Sequence, residues 1–99
     1  MRVIDLLALL SDQNKNAAVV VRLDDEQLNI DSFRQQIANE QPQLILTTLP
    51  KNRRILRLWE FQLLLNQPAL FQHYVYVQTL NQPRAIFGFV LDHQRIVLS

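Results

Sequence analysis

His93 beside Asp92 is the one neighbouring pair in this chain whose types could orient an imidazole for proton transfer. Acid–base catalysis needs a further group, a nucleophile or a second acid, brought up to that ring. The supply is thin. His73 is the other histidine, the serines are Ser11, Ser32 and Ser99, and cysteine is absent, which removes thiol nucleophiles, thiolate zinc sites and disulfides. Gly88 is the single glycine, so nucleophile elbows, phosphate-cradling loops and dinucleotide fingerprints have no material to be built from. Adjacent Asp and His in a turn are ordinarily just solvated, and two histidines are a poor metal set. The residues therefore predict no catalytic group, no metal ligand and no bound cofactor.

Asp24, Asp25, Glu26 and Asp31 are the second cluster to weigh, because carboxylates in series bind calcium. The spacing fails: a calcium loop alternates its acidic ligands, turns on a glycine and closes with a glutamate, and this stretch has no glycine. The plainer reading is that Asp31 or Ser32 caps a helix through IDSFRQQIANEQ, with Ile30, Phe33 and Ile37 as its apolar stripe and Pro42 as its stop.

The densest charge is Lys51, Arg53, Arg54 and Arg57, with Trp59 two residues on. LPKNR suits a tight turn, after which residues 53–65 read either as the return strand of a hairpin or as a helix with Arg53, Arg57 and Glu60 along one side; arginines in a first helical turn would oppose the helix dipole, so the strand is the reading favoured. A basic hairpin tip above an aromatic ring could follow a phosphate backbone and stack a base. Against that stand the carboxylates of residues 24–31, which could neutralise the arginines, and the suitability of Trp59 for a core.

What must position these groups is bounded by composition. With 99 residues, 48% of them hydrophobic, residues 1–99 make one domain with its own core. A formal charge of +1 gives no general pull toward nucleic acid or acidic membrane. Asp5 interrupts the apolar start MRVIDLLALLSD and no small-residue cleavage site follows, so neither a signal peptide nor a membrane span is expected, and the location expected is cytoplasmic. The twelve glutamines and seven asparagines are dispersed, which reads as uncharged surface polarity.

Along the chain, Val3, Ile4, Leu6, Leu7 and Leu10 fall at helical spacing, and residues 17–23 form a strand whose unbroken apolar run demands cover on both faces. Residues 43–49 form another strand, and Pro68 can start a single helical turn. Residues 74–99 read as a three-stranded meander broken at NQPR and DHQ. A three-residue turn at Asn81 to Pro83 would set Val77 opposite Phe87 and Val75 opposite Phe89, making these with Leu91 a core face. Tyr74, Tyr76, Ile86 and Val90 would share the other face, with the Tyr76 ring over Gly88. The fold expected is α+β: a predominantly antiparallel sheet of five to six strands with two helices in the amino-terminal half.

These patterns favour a small non-enzymatic interaction or regulatory domain. Its second apolar face (Tyr74, Tyr76, Ile86, Val90) and a last strand containing Ile96 and Val97 invite self-association as a homodimer or, instead, a contact with another protein. The alternative is a nucleic-acid-binding module using Lys51, Arg53, Arg54, Arg57 and Trp59 on hairpin 51–59, and the third reading is an enzyme whose site the motifs do not show.

Overall fold

The computed structural model describes residues 1–49 and 54–99. In chain order these form α1 (Val3–Leu9), β1 (Val19–Leu23), β2 (Glu26–Ala38), β3 (Gln41–Thr48), α2 (Leu58–Leu65), a turn of 3-10 helix begun by Pro68 (Pro68–Leu70), β4 (Tyr74–Val77), β5 (Arg84–Ala85), β6 (Phe89–Asp92) and β7 (Arg95–Leu98). The seven strands form one sheet in the order β5-β4-β3-β2-β1-β7-β6. Two of its pairings, β1 with β7 and β3 with β4, are parallel. The sheet is therefore mixed and curled into a half-barrel, not the predominantly antiparallel sheet of five or six strands that the sequence suggests.

The curl follows from chain connectivity. Strands in a flat seven-stranded sheet, about 4.8 Å apart, would hold the two edges about 29 Å from one another. Yet β5 and β6, the opposite edges, are joined only by Ile86, Phe87 and Gly88, a link that spans at most about 14 Å even when fully extended. The Ile86 N–H bonds the Val75 carbonyl at one edge, while the Phe87 and Gly88 N–H groups bond the Ser99 carbonyl beside the other. One stretch of chain thus straps the edges toward each other.

Three hairpins make the tight corners, at Asp24–Asp25, Asn39–Glu40 and His93–Gln94, and all six turn residues have positive φ. Two central residues with positive φ are the signature of the turn whose twist matches paired strands. Asp24, Asp25 and Asn39 tolerate that conformation better than most residues, while Glu40, His93 and Gln94 hold it with ordinary side chains, so the chain turns without glycine. Gly88 has no positive φ and takes no part in these corners.

Residues 26–38 are strand where the spacing predicts a helix from residue 30. The register with β3 shifts between Ile30 and Ser32, a bulge at Asp31. The extra residue turns the two-residue spacing of a strand face into three, from Ile30 to Phe33, and two ordinary strand steps reach Ile37. A bulged strand has imitated a helical stripe.

Residues 58–65 are helix, not return strand. Arg57 stands just outside with extended backbone, its N–H accepted by the Glu60 carboxylate at 3.0 Å. The arginines precede the first turn and Glu60 lies inside it, so the dipole favours this helix rather than opposing it. α1 opens in the same way, with the Arg2 N–H bonded to the Asp5 carboxylate at 3.2 Å. The second helix is therefore not in the amino-terminal half.

Both helices pack on the sheet face bearing Val19, Val21, Leu44, Leu46, Val75, Val77, Ile96 and Leu98. Val3, Leu6 and Leu10 from the α1 region and Leu58, Phe61 and Leu65 from α2 complete that core. Among the described residues no helix covers the opposite face, yet Ile45 there is fully buried. Long polar side chains cover it: Gln36 donates to Gln43 at 2.8 Å, Gln43 to Gln41 at 3.1 Å and Tyr76 to Gln41 at 2.8 Å, while Arg34 reaches Gln36 and Gln78. Four of the twelve glutamines that read as dispersed surface polarity, Gln36, Gln41, Gln43 and Gln78, belong to this hydrogen-bonded cover.

Candidate functional site

β6 is half of a hairpin whose other half, β7, is bonded on both sides, to β6 and to β1. The last strand is therefore internal, and the penultimate one is the edge. In a hairpin with a two-residue turn, the pair flanking the turn exchanges both backbone bonds, and alternate pairs follow suit. That pair is Asp92 with Arg95, so Asp92 and Val90 turn their N–H and C=O toward β7. Gly88 and Ser99 exchange two bonds, at 3.2 and 3.1 Å, as this alternation requires, and the Ile96 N–H goes instead to Ala18. Phe89 and Leu91 consequently aim their backbone groups away from β7, and among the described residues neither meets a backbone partner there.

The side chains along this edge are apolar and open. Phe87 is 77% exposed, Leu91 61% and Val90 50%. Phe89 is half-buried against the core. The opposite edge is protected: β5 has two residues, Arg84 and Ala85, and follows Pro83. Short length, a charge and a proline are the usual means of blunting an edge; β6 is only four residues long and ends on Asp92, but Phe89 to Leu91 carry neither a charge nor a proline.

At the hairpin end, Asp92 accepts a hydrogen bond from the Gln27 amide at 2.5 Å and pairs with the His93 ring at 2.7 Å. The Gln27 bond, then the His93 bond, hold the Asp92 carboxyl below its ordinary value of 3.8. His93 itself is exposed on the turn, and the pair fixes the corner of the β6–β7 hairpin.

The residues singled out from the sequence are scattered by the fold. Lys51 and Arg53 lie outside the described residues. Arg54 is exposed, 3.9 Å from Glu60, and Arg57 sends its guanidinium to the Asn16 carbonyl at 2.9 Å. Trp59 is 47% exposed on α2, so Arg57 and Trp59 do not share a hairpin strand. Of the residues expected at a self-association face, Ile86, Ile96 and Val97 are buried, Tyr76 is half-buried with its hydroxyl on Gln41, and Tyr74 and Val90 reach solvent.

The predicted register of the meander is also revised. Val77 pairs with Arg84 and Tyr76 with Ala85, and no Tyr76 ring lies on Gly88, whose missing Cβ would meet nothing within 4 Å. Ile86 joins the core with Val75 and Val77, while Phe87 and Leu91, expected inside, are the open residues. Among the described residues no group of three or more His, Cys, Asp or Glu could hold a metal ion, and no helix is long and apolar enough to cross a membrane.

Comparison with protein-family models, curated proteins and solved structures finds no match for this chain.

Proposed function

We propose that this chain is a small non-enzymatic interaction domain that accepts an extended strand from a partner along β6. The observation that carries this reading is the pairing of free backbone groups at Phe89 and Leu91 with exposed apolar side chains at Phe87, Val90 and Leu91, on a sheet whose other edge is closed. Strand addition draws affinity from main-chain hydrogen bonds and specificity from alternate side chains. The shallow hollow beside this edge, bounded by Gln13, Asn14, Ala17, Leu91, Gln94 and Ile96, would receive side chains on the helix-bearing face. The basic residues support nucleic-acid binding less well, because Arg57 is already engaged at the head of α2.

The test uses proline. Leu91 directs its N–H away from β7, so Leu91→Pro leaves the hairpin ladder intact while removing a donor from the open edge. Short peptides selected from a displayed library on the purified chain should lose binding to Leu91→Pro, with its thermal unfolding little changed. Peptides that bind both proteins equally, or a library that yields no binder, would overturn the reading.

A further inference from the structure

We infer that the strand accepted at β6 is β6 of a second copy, in one two-fold register that sets Val90 opposite Val90. The inference rests on the reading of β6 as the contact edge and names its partner. A two-fold antiparallel pairing must bring edge-facing residues into register with edge-facing residues. Four registers centred within β6 do so, on Phe89, Val90, Leu91 or Asp92, and the last sets Asp92 against its twin and asks Leu91 to pair with His93, which lies in the turn with φ 50.

Centring on Phe89 would pair Leu91 with Phe87 of the second copy, but the Phe87 N–H is already bonded to Ser99. Centring on Leu91 would pair Phe89 with His93 of the second copy, and His93 has φ 50 in the hairpin turn and is not extended. Centring on Val90 asks only for Phe89 and Leu91, both within the strand and both without a backbone partner on that side among the described residues. Each Phe89 then exchanges two backbone bonds with Leu91 of the other copy.

Side-chain chemistry agrees with that register. Directly opposed residues share a face, so Phe89 meets Leu91 on one face and Val90 meets Val90 on the other. Asp92 falls opposite Gly88 of the second copy, so the one charge on β6 faces neither its twin nor any side chain. The open space around Gly88 in the single chain is what this arrangement uses. A contact through one short strand lies at the small end of specific interfaces, which makes the dimer a dissociable one.

Two kinds of variant test it. The chain has no cysteine, so Val90→Cys adds a unique thiol. Non-hydrogen-bonded antiparallel pairs hold their Cα atoms about 4.5 Å apart, within disulfide reach. Under mild oxidation Val90→Cys should yield covalent dimer well ahead of Asp92→Cys. At Gly88, where a side chain meets open space and φ is not positive, Gly88→Glu should weaken sedimentation-measured association several-fold by opposing Asp92, and Gly88→Lys should strengthen it. A chain that stays monomeric at high concentration, or cross-linking no faster at position 90 than at 92, would overturn self-pairing. If selected peptides still bind in a manner abolished by Leu91→Pro, only the identity of the partner falls. If they do not, the edge reading falls with it.

Discussion

Gly88 and Ser99 exchange two backbone hydrogen bonds, the Gly88 N–H donating to the Ser99 carbonyl at 3.2 Å and the Ser99 N–H to the Gly88 carbonyl at 3.1 Å. This one pair sets the phase of the whole hairpin beyond it, and with it which residues of β6 present their backbone to solvent.

Amide hydrogen exchange reads that phase directly. In dilute solution Val90 and Asp92 should exchange slowly and Phe89 and Leu91 fast, an alternation of protected and unprotected sites along one strand. As concentration rises, Phe89 and Leu91 should become protected together. Equal protection of all four at every concentration would mean that the alternation is wrong.

The hairpin at Asn39 and Glu40 carries φ values of 52° and 63°. Glu40→Gly creates the Asn-Gly pair that this turn favours and removes the left-handed strain of a side chain, roughly 1 kcal/mol, partly offset by the freer unfolded chain. The expected net gain is about 0.5 kcal/mol or more by chemical denaturation. A loss of stability would show that Glu40 is held by something other than its turn.

Asp92 has its folded pKa depressed by Gln27 and then His93. A depressed carboxylate contributes stability above its unfolded pKa and loses it as pH falls through the folded value. The melting-temperature difference between the natural chain and Asp92→Asn should therefore narrow as pH drops below the ordinary 3.8. A difference that persists undiminished into stronger acid would point to a structural effect of the substitution instead.

Phe61 on α2 is a better probe of the core than the strand aromatics, being 1% exposed among Leu46, Leu56 and Leu65. Phe61→Ala should cost about 3–5 kcal/mol, a large part of what a domain of this size has. An unaltered melting curve would mean that α2 does not pack as described.

What could be read from the letters was whatever depended on local apolar density. Val19 to Val21 and Leu44 to Leu46, within the runs read as strands, became buried strand residues, and Val3, Leu6 and Leu10 became the packed side of a helix and its end. What could not be read depended on distant partners or on one irregular residue. The bulge at Asp31 shifts apolar spacing from strand toward helix, and no residue type announces it. The turns at Asp24–Asp25 and Asn39–Glu40 lack the glycine that usually marks such corners. Phe87 looks like core by composition, yet its place is fixed by Ser99, and no pattern within residues 74–92 reveals that bond.

The strand edge at issue was legible in kind and misplaced in position. An apolar, weakly charged final hairpin signalled an open edge, but the parallel partner that occupies β7, namely β1, lies at the far end of the sequence. Ile96 and Val97 are thereby buried, and the opening passes to the strand before them.

That parallel pairing also bears on how the chain reaches its fold during synthesis. Val19, Val20 and Val21 find their neighbours Ile96, Val97 and Leu98 only after nearly all of the sequence between them has been made. Until then the β1–β2 and β2–β3 hairpins can form from local contacts while one flank of the valine strand lies bare. Late, long-range closure of this kind slows folding and prolongs exposure of a sticky intermediate. The nascent chain is thus most vulnerable to aggregation while residues 95–98 are missing, and those residues act as the clasp that ends the hazard.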